Sequence, residues 1–327
     1  MIIDFHSHFF PQRYLTALGK KNASVVFEQN SRGGGFLGSG KFRAAMASSH
    51  YDVAERVAAM DAVGVDVQCL TPTIPGVHTE RRELGIYLAQ AFNDGSAEAV
   101  AAYPDRFAAI AVLPLQDPAA SVIELERAVT QLGLKGGALF TNVNGLPLDD
   151  PAYLPLYAKA AELDAFLWLH PTTPPELGLL ADYKLIVTTG FMFETTVAVS
   201  RLIFSGILEQ FPTLKLVVSQ MGGTLPFLAE RIERGYRLYD DCRANITLSP
   251  TEQLKRLYYD TTPGTPAAIA FTAQFAGVDR LMMGSDYPQL FGDMAEAIAT
   301  IRQLDLSDAA KANIMGGTAK RLLKLAQ

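Results

Sequence analysis

Short apolar segments alternate with helical patterns about eight times along the chain, and this alternation limits the fold more than any other feature. The segments predicted as strands are residues 1–5, 65–70, 107–113, 134–140, 165–170, 214–219, 257–261 and 280–284. Such alternation is typical of a parallel sheet with helical crossovers. Eight units in 327 residues favour an α/β fold of the (β/α)8 TIM barrel type, and no glycine-rich dinucleotide motif follows the first strand.

We expect a single barrel domain over residues 1–327, with insertions at about residues 12–50 and 172–192. The first insertion follows strand 1, is rich in glycine and has no clear periodicity, which is unusual inside a compact domain. A short hairpin that pairs residues 24–28 with 42–45 is expected there, shielding one mouth of the barrel.

The first predicted strand runs directly into His6-Ser7-His8. Residues two apart in a strand face the same side, so the two imidazoles are expected to project together as metal ligands, although two ordinary terminal histidines would read the same way. His170 ends the fifth strand and Asp286 follows the eighth. Catalytic groups of a barrel sit at these strand ends, so three imidazoles and one carboxylate are expected to converge on a zinc-like metal.

Each later candidate also has a structural interpretation. His170 before a proline fits a hydrogen-bonded core histidine, and Asp286 fits a helix cap. Asp260, at the end of the seventh strand, fits either a helix cap or a residue that supports the site from behind its ligands.

Composition excludes several classes of partner. The net charge of −6 argues against binding of nucleic acid or of acidic membranes. No run of about 18 apolar residues is found, so no membrane span is expected. Two distant cysteines, Cys69 and Cys242, fit a reducing cytoplasm.

Five segments carry a resemblance to a known family. They are DFHSHFFP at residues 4–11, WLHP at 168–171, FPTLKLVVSQMGGTLPF at 211–227, MGSDYP at 283–288 and GGTAKRLL at 316–323. In these the chain resembles the amidohydrolase superfamily, and within it the aminocarboxymuconate-semialdehyde decarboxylase-like branch. The resemblance implies a metal-dependent barrel enzyme, mostly a non-oxidative decarboxylase of unsaturated or aromatic acids, with some hydrolases and hydratases nearby.

The resemblance also implies the ligand set and the number of metals. His6, His8, His170 and Asp286 occupy the positions of that branch's metal ligands. Binuclear members carry a carboxylated lysine at the end of strand 4, whereas Lys135 lies at its start. One divalent ion is therefore expected, zinc in preference and manganese as the alternative.

Position 220 departs from the branch, which has a histidine there in a His-x-Gly-Gly context. Gln220 cannot titrate in a useful range but can donate and accept hydrogen bonds. We expect Gln220 to orient a water or the substrate carboxylate while Asp286 takes over proton transfer. The alternative is a member whose chemistry is lost or changed. His50 and His78 lie outside the motif, although either could reach the mouth from a loop.

Two arginines and several aromatic residues are candidate substrate contacts. Arg43 and Arg231 match positions where the resembled decarboxylases hold substrate carboxylates, and in that branch the second can come from a neighbouring subunit, which implies a homodimer. A surface pairing of Arg231 with Glu230 or Glu233 is the alternative. The candidate pocket walls, each of which also fits simple packing, are Phe10, Trp168, Phe191 and Phe291.

The sequence as a whole predicts a metal-dependent, non-oxidative decarboxylase of a small unsaturated or aromatic acid. Hydrolysis or hydration of a lactone, amide or double bond at the same site is the alternative, and a degenerate binding protein is the third hypothesis. Carbon dioxide release distinguishes the first two.

Overall fold

The computed structural model describes residues 1–20, 22–31, 34–39 and 42–325. Its strands are β1 (Ile3–His8), β2 (Val26–Gln29), β3 (Gly35–Ser39), β4 (Phe42–Met46), β5 (Val67–Thr71), β6 (Phe107–Ala109), β7 (Gly136–Phe140), β8 (Asn142–Val143), β9 (Leu146–Pro147), β10 (Phe166–His170), β11 (Lys215–Val218), β12 (Tyr258–Asp260) and β13 (Leu281–Met282).

The helices follow the barrel strands or lie in the insertions. They are α1 (Gln12–Lys20), α2 (Val53–Val63), α3 (Arg82–Ala102), α4 (Pro118–Thr130), α5 (Leu154–Glu162), α6 (Phe191–Phe204), α7 (Ile207–Gln210), α8 (Leu225–Leu238), α9 (Asp240–Arg243), α10 (Pro250–Arg256), α11 (Pro266–Ala276), α12 (Met294–Arg302), α13 (Asp308–Ala312) and α14 (Thr318–Leu322).

The parallel strands form the predicted (β/α)8 barrel. One ladder runs β1-β5-β6 and the other runs β7-β10-β11-β12-β13. Two bridges join the ladders, one between Ala111 and Gly137 and the other between Ser7 and Tyr287. Every residue of β1, β5, β6, β7 and β10 is buried because both faces of the sheet are covered, one by the barrel interior and the other by helices.

Two separate apolar cores position the strand ends. Inside the barrel, Phe5, Phe166 and Trp168 belong to one buried cluster, and a larger cluster lies between the strands and the outer helices. Interior side chains fill a barrel of this size, so the packed interior forms the floor beneath the carboxyl ends of the strands.

The first insertion differs from the expected hairpin. β2, β3 and β4 form an antiparallel sheet in which β3 lies in the middle, so residues 24–28 and 42–45 do not pair directly. The prediction was wrong because the glycine-rich run was interpreted as loop, whereas Gly35 and Gly38 extend into the central strand. A helix, α1, precedes this sheet and packs against α3.

One segment, residues 186–204, is long and apolar enough to cross a membrane by length and composition alone. Nearly half of it, 44%, is buried inside the protein. Its buried residues include Ala198, Leu202 and Ile203 on α6, the barrel helix that follows β10. Packing of that face against the barrel accounts for its apolar character.

Candidate metal centre

The two histidines of β1 project together from its end, as alternation predicts. β1 pairs with β5 in parallel, and its register shifts between Asp4 and Ser7. Irregularities of this kind re-aim side chains and are frequent beside active sites. The Nε2 atoms of His6 and His8 lie 3.1 Å apart, and both side chains are buried.

His170 and Asp286 come to the same point from β10 and from the loop after β13. The ligand atoms of the three histidines all lie within 4.8 Å of one another. Oδ1 of Asp286 is 3.0 Å from Nε2 of His8 and 3.5 Å from Nε2 of His6. Two atoms bound to one zinc ion at about 2.0–2.1 Å lie about 3–3.5 Å apart. The atoms of His6, His8 and Asp286 have this spacing, and His170 would complete a four-ligand set around one divalent ion after a shift of about 1 Å.

Hydrogen bonds on the far side of each ring fix the tautomers. Nδ1 of His8 lies 3.1 Å from the carbonyl oxygen of Pro72, and Nδ1 of His170 lies 2.8 Å from that of Pro171. A carbonyl oxygen only accepts, so both Nδ1 atoms carry the proton and both Nε2 atoms present a lone pair to the centre. Neutral imidazoles of this tautomer are the form that binds a metal.

The electrostatics favour neutral imidazoles at His8 and His170 and an ionised carboxylate at Asp286, whereas they favour a proton on His6. Burial lowers the pKa of His8 and holds that of His170 well below its ordinary value. Burial would also lower the pKa of His6, but the carboxylates of Asp260 and Asp286 outweigh it and raise the value. For Asp286 burial acts to raise the pKa, and the hydrogen bond and charge of His8 outweigh it and lower the value.

The backbone of Asp286 is held in a conformation that most residues avoid. Its φ is +62°, in the left-handed region, and its amide donates to the His6 carbonyl at 2.9 Å. Gly292 packs so closely that a Cβ there would lie 2.4 Å from the Asp286 carbonyl. The loop therefore closes tightly around Asp286, which is not a helix N-cap; Asp293 caps the helix that follows.

Gln220 lies at the end of β11 on the same mouth of the barrel. Its backbone N–H donates to Oδ1 of Asp260 at 2.8 Å, and its φ is +56°. Its Oε1 atom is buried and has no hydrogen-bond partner among the described residues. Oδ2 of Asp260 lies 2.9 Å from Nδ1 of His6, so Asp260 connects position 220 to the histidine cluster. Gln220 thus has an acceptor that a water or substrate can satisfy.

The two candidate arginines are both exposed. Arg43 lies on β4 and forms a two-point ion pair with Glu28 of β2, at 2.7 and 3.0 Å. Arg231 lies on α8. The neighbouring glutamates that could have paired with it contact other residues: Glu230 lies 2.9 Å from Arg234, and Glu233 bonds Ser249.

The aromatic candidates divide between floor and rim. Trp168 is fully buried, its ring centroid 4.9 Å from that of His6, and its Nε1 has no partner among the described residues. Phe291 is 60% exposed and lines a cavity of about 400 Å³ beside Ser285. Phe10 packs against Tyr14 in the cluster below α1 and α3.

The remaining candidates are one aromatic residue and two histidines. Phe191, at the start of α6, is buried. His78 packs on Phe140, whose ring in turn contacts His170, and it lines a cavity of about 310 Å³ that extends to Thr172. His50 is buried beside the segment that follows β1, where its carbonyl accepts from the Phe10 amide.

Sequence reasoning missed a buried polar group below the ligands. Arg56, Gln68 and Asp4 are fully buried and hydrogen-bonded in series behind β1. The available signal was Gln68, a polar residue between Val67 and Cys69 in β5, whereas Arg56 lies beside Glu55 in α2 and gave no such signal.

Comparison with known proteins identifies the family of the chain. The model of a family described as Amidohydrolase matches residues 3–325. The 2-amino-3-carboxymuconate-6-semialdehyde decarboxylase of Dictyostelium discoideum is 29% identical over 331 residues, covering 99% of this chain and 91% of that protein.

Two solved structures are similar over nearly the whole chain. A 5-carboxyvanillate decarboxylase from Sphingomonas paucimobilis is 29% identical with a TM-score of 0.88, covering 99% of both chains. A dihydroxybenzoic acid decarboxylase from Polaromonas sp. JS666, with bound manganese and the inhibitor 2-nitroresorcinol, is 26% identical with a TM-score of 0.79. It covers 100% of this chain and 97% of its own. The neighbours confirm the predicted barrel fold.

Proposed function

Because the chain belongs to the amidohydrolase family whose model spans residues 3–325, we propose that it is a divalent-metal-dependent, non-oxidative decarboxylase of a small aromatic or unsaturated carboxylic acid. The observation that carries the proposal is the convergence of His6, His8, His170 and Asp286 at the strand ends. The decarboxylases among its relatives support the reaction class. A degenerate barrel has no evident reason to keep this ligand set with its tautomers fixed.

The four side chains would hold one ion, with zinc preferred for the three imidazoles and manganese supported by the Polaromonas relative. When bound, the ion supplies positive charge that holds an anionic substrate oxygen and stabilises developing negative charge.

Asp286 is assigned proton transfer. Loss of carbon dioxide breaks the bond between the carboxyl carbon and the ring or chain, and leaves an electron pair that must take a proton. The lowered pKa of Asp286 keeps it ionised in the free site. It must therefore acquire a proton from water or substrate before delivering it to the vacated carbon. Gln220, which cannot titrate, is assigned the orientation of substrate through its free Oε1.

Substrate contacts are assigned to residues at the rim and floor. Arg43 would release Glu28 and bind a substrate carboxylate in its place. The exchange is possible because the Glu28 carboxylate and a substrate carboxylate are both planar acceptors with two oxygens. Trp168 is assigned the floor beside His6, and Phe291, exposed in the loop that follows Asp286, is assigned a position at the rim.

A homodimer would bring Arg231 to the site of a second subunit. Phe227 and Arg231 are four residues apart on α8 and so share a face, and Phe227 is 80% exposed. Leu290, beside Phe291, is 96% exposed. Exposed apolar side chains of this size favour a subunit contact.

The unpaired cysteines Cys69 and Cys242 support a cytoplasmic location.

The test is carbon dioxide release from 2,6-dihydroxybenzoate and 5-carboxyvanillate by chelator-treated protein, before and after addition of zinc or manganese. We expect release only with metal, about one equivalent bound per chain, and loss of both in His170→Ala. His78→Ala is the matched control, because His78 and His170 are both buried imidazoles that contact the Phe140 ring. Equal release with and without metal would overturn the proposal, and a ring-opened or hydrated product would favour the hydrolase alternative.

A further inference from the structure

Arg56 is a fully buried cation that reaches the metal centre through the backbone of a ligand. Its Nη2 atom donates to the carbonyl oxygen of His8 and, at 3.0 Å, to that of Ser49. Its Nη1 atom donates to Oε1 of Gln68 at 2.9 Å. The guanidinium therefore fixes the end of β1, whose last residue is His8.

The chain of hydrogen bonds continues from Gln68 to the loop that carries Asp286. Nε2 of Gln68 donates to Oδ2 of Asp4 at 2.8 Å. Asp4 accepts from the amide of Ser285 at 2.9 Å and from its hydroxyl at 2.6 Å. The hydroxyl oxygen of Ser285 then accepts from the amide of Tyr287 at 3.1 Å. The residues on both sides of Asp286 are thus held by one network.

Both backbone segments held in this way depart from regular structure. The register of β1 shifts between Asp4 and Ser7, so the ladder alone does not set the direction of His6. Asp286 has a φ of +62°, a strained conformation for a non-glycine residue that persists only where its surroundings enforce it.

Stability alone does not explain a cation at position 56. A buried ion loses its hydration, and replacement of buried ion networks by apolar residues is often neutral or stabilising. The guanidinium lies 5.6 Å from the ring centre of Phe9 and 5.1 Å from that of Tyr287, an environment that a long apolar side chain would also fill. What an apolar side chain could not supply is the set of hydrogen bonds to His8 and Gln68.

We propose that Arg56, acting through Gln68, Asp4 and Ser285, is a positioning residue that sets the mutual placement of His8 and Asp286 for metal binding. The inference rests on the proposed function, because it concerns the same ligands. Arg56 touches neither metal nor substrate. Its loss is expected to weaken metal binding and to change the coordination geometry in a protein that still folds.

The experiment measures the Mn²⁺ dissociation constant and the visible absorption of Co²⁺-loaded protein, which reports coordination number and geometry. The variants are Arg56→Met, Arg56→Lys and Ser285→Ala. Arg127→Met is the control, since Arg127 is a partly buried arginine paired with Glu124 and Asp94 on the outside of the barrel. We expect a dissociation constant about 10–100-fold higher in Arg56→Met and Ser285→Ala, with an altered Co²⁺ spectrum. Arg56→Lys, which keeps the charge, is expected to show a smaller increase.

Unchanged affinity and spectrum in folded Arg56→Met would overturn the inference, whatever happens to thermal stability. If Arg56→Met does not fold, Arg56→Lys and Ser285→Ala decide by the same two readouts, because both keep the buried volume nearly constant. Failure of the wild-type protein to bind either metal would instead count against the proposed function. The two failures are therefore distinguishable.

Discussion

Nδ1 of His6 lies 2.9 Å from Oδ2 of Asp260, and neither side chain is exposed to solvent. Nδ1 of His6 keeps its proton and donates it in a hydrogen bond to this carboxylate. Nε2 of His6 is then unprotonated and can bind a metal. The other oxygen of Asp260 accepts from the amides of Gln220 and Thr262, at 2.8 and 3.1 Å. Asp260 therefore fixes a ligand and the strand end that carries Gln220.

We expect Asp260→Asn to weaken metal binding by about 10–100-fold. The asparagine oxygen can still accept from the backbone amides, but its NH2 group then faces Nδ1 of His6. Two donors cannot bond, so the ring is driven to the tautomer whose Nε2 carries the proton and cannot bind a metal. Competition with a chelator measures the affinity. Asp150→Asn, which alters only a helix cap outside the site, is expected to bind metal normally; equal affinities in the two variants would contradict the assignment.

The convergence of the four candidate ligands could be anticipated because each of them sits where a strand pattern stops. His6 and His8 share a strand face by alternation, and His170 and Asp286 follow apolar runs whose carboxyl ends meet in any closed parallel barrel. Position alone therefore indicated their proximity. The identity of the metal depends on the metal–ligand distances and on the electronic structure of the ion, and the spacing of residues in the sequence specifies neither.

The supporting residues could not be anticipated in the same way. Arg56 bonds to Gln68 and His8, which lie 12 and 48 residues away, and Gln68 bonds to Asp4, which lies 64 residues away. Nothing in the local pattern identifies those partners. The central strand β3 was missed for a different reason, because glycine carries a low strand propensity that pairing on both sides overrides. Long-range pairing is a tertiary property.

Gln220→His is expected to add a titrating limb to the pH dependence of kcat/KM at about pH 6–7, near the ordinary pKa of histidine. Histidine tolerates the left-handed backbone at this position, where φ is +56°. Met221→His is the matched control, because Met221 has a φ of +54° and is the next residue along the chain. An identical pH profile in wild-type protein and Gln220→His would show that the side chain at 220 does not take part in proton transfer.

We predict opposite changes in KM for substitutions of Arg43 and of Glu28. If Arg43 exchanges Glu28 for a substrate carboxylate, Arg43→Ala raises KM about tenfold or more, because charge-assisted two-point bonds are among the stronger polar contacts. Glu28→Gln removes the competing carboxylate and is expected to lower KM. Steady-state kinetics at saturating metal measures both. Arg13→Ala, at an exposed ion pair with Glu98, is the control; a common change in all three variants would refute the exchange.

His78 gives a prediction for stability against pH. Burial lowers its pKa from the ordinary 6.5 to about 4, so the unfolded chain binds this proton more readily than the folded one at pH values between the two. The resulting stabilisation is present above pH 6.5 and is lost as the pH falls towards 4, by about 3 kcal/mol in all. His78→Asn removes it, so the difference in unfolding free energy between wild type and variant should shrink over that range.

Denaturant unfolding of chelator-treated protein at pH 7, 5.5 and 4 measures this difference without a contribution from metal release. His50 remains in both proteins, and its pKa is also lowered to about 4 by burial, so its own loss of stability cancels in the comparison. The His78 imidazole packs 4.8 Å from the Phe140 ring, and loss of that contact in the variant lowers stability at every pH alike. A gap that stays constant from pH 7 to 4 would therefore mean that His78 is protonated in the folded protein as readily as in the unfolded chain.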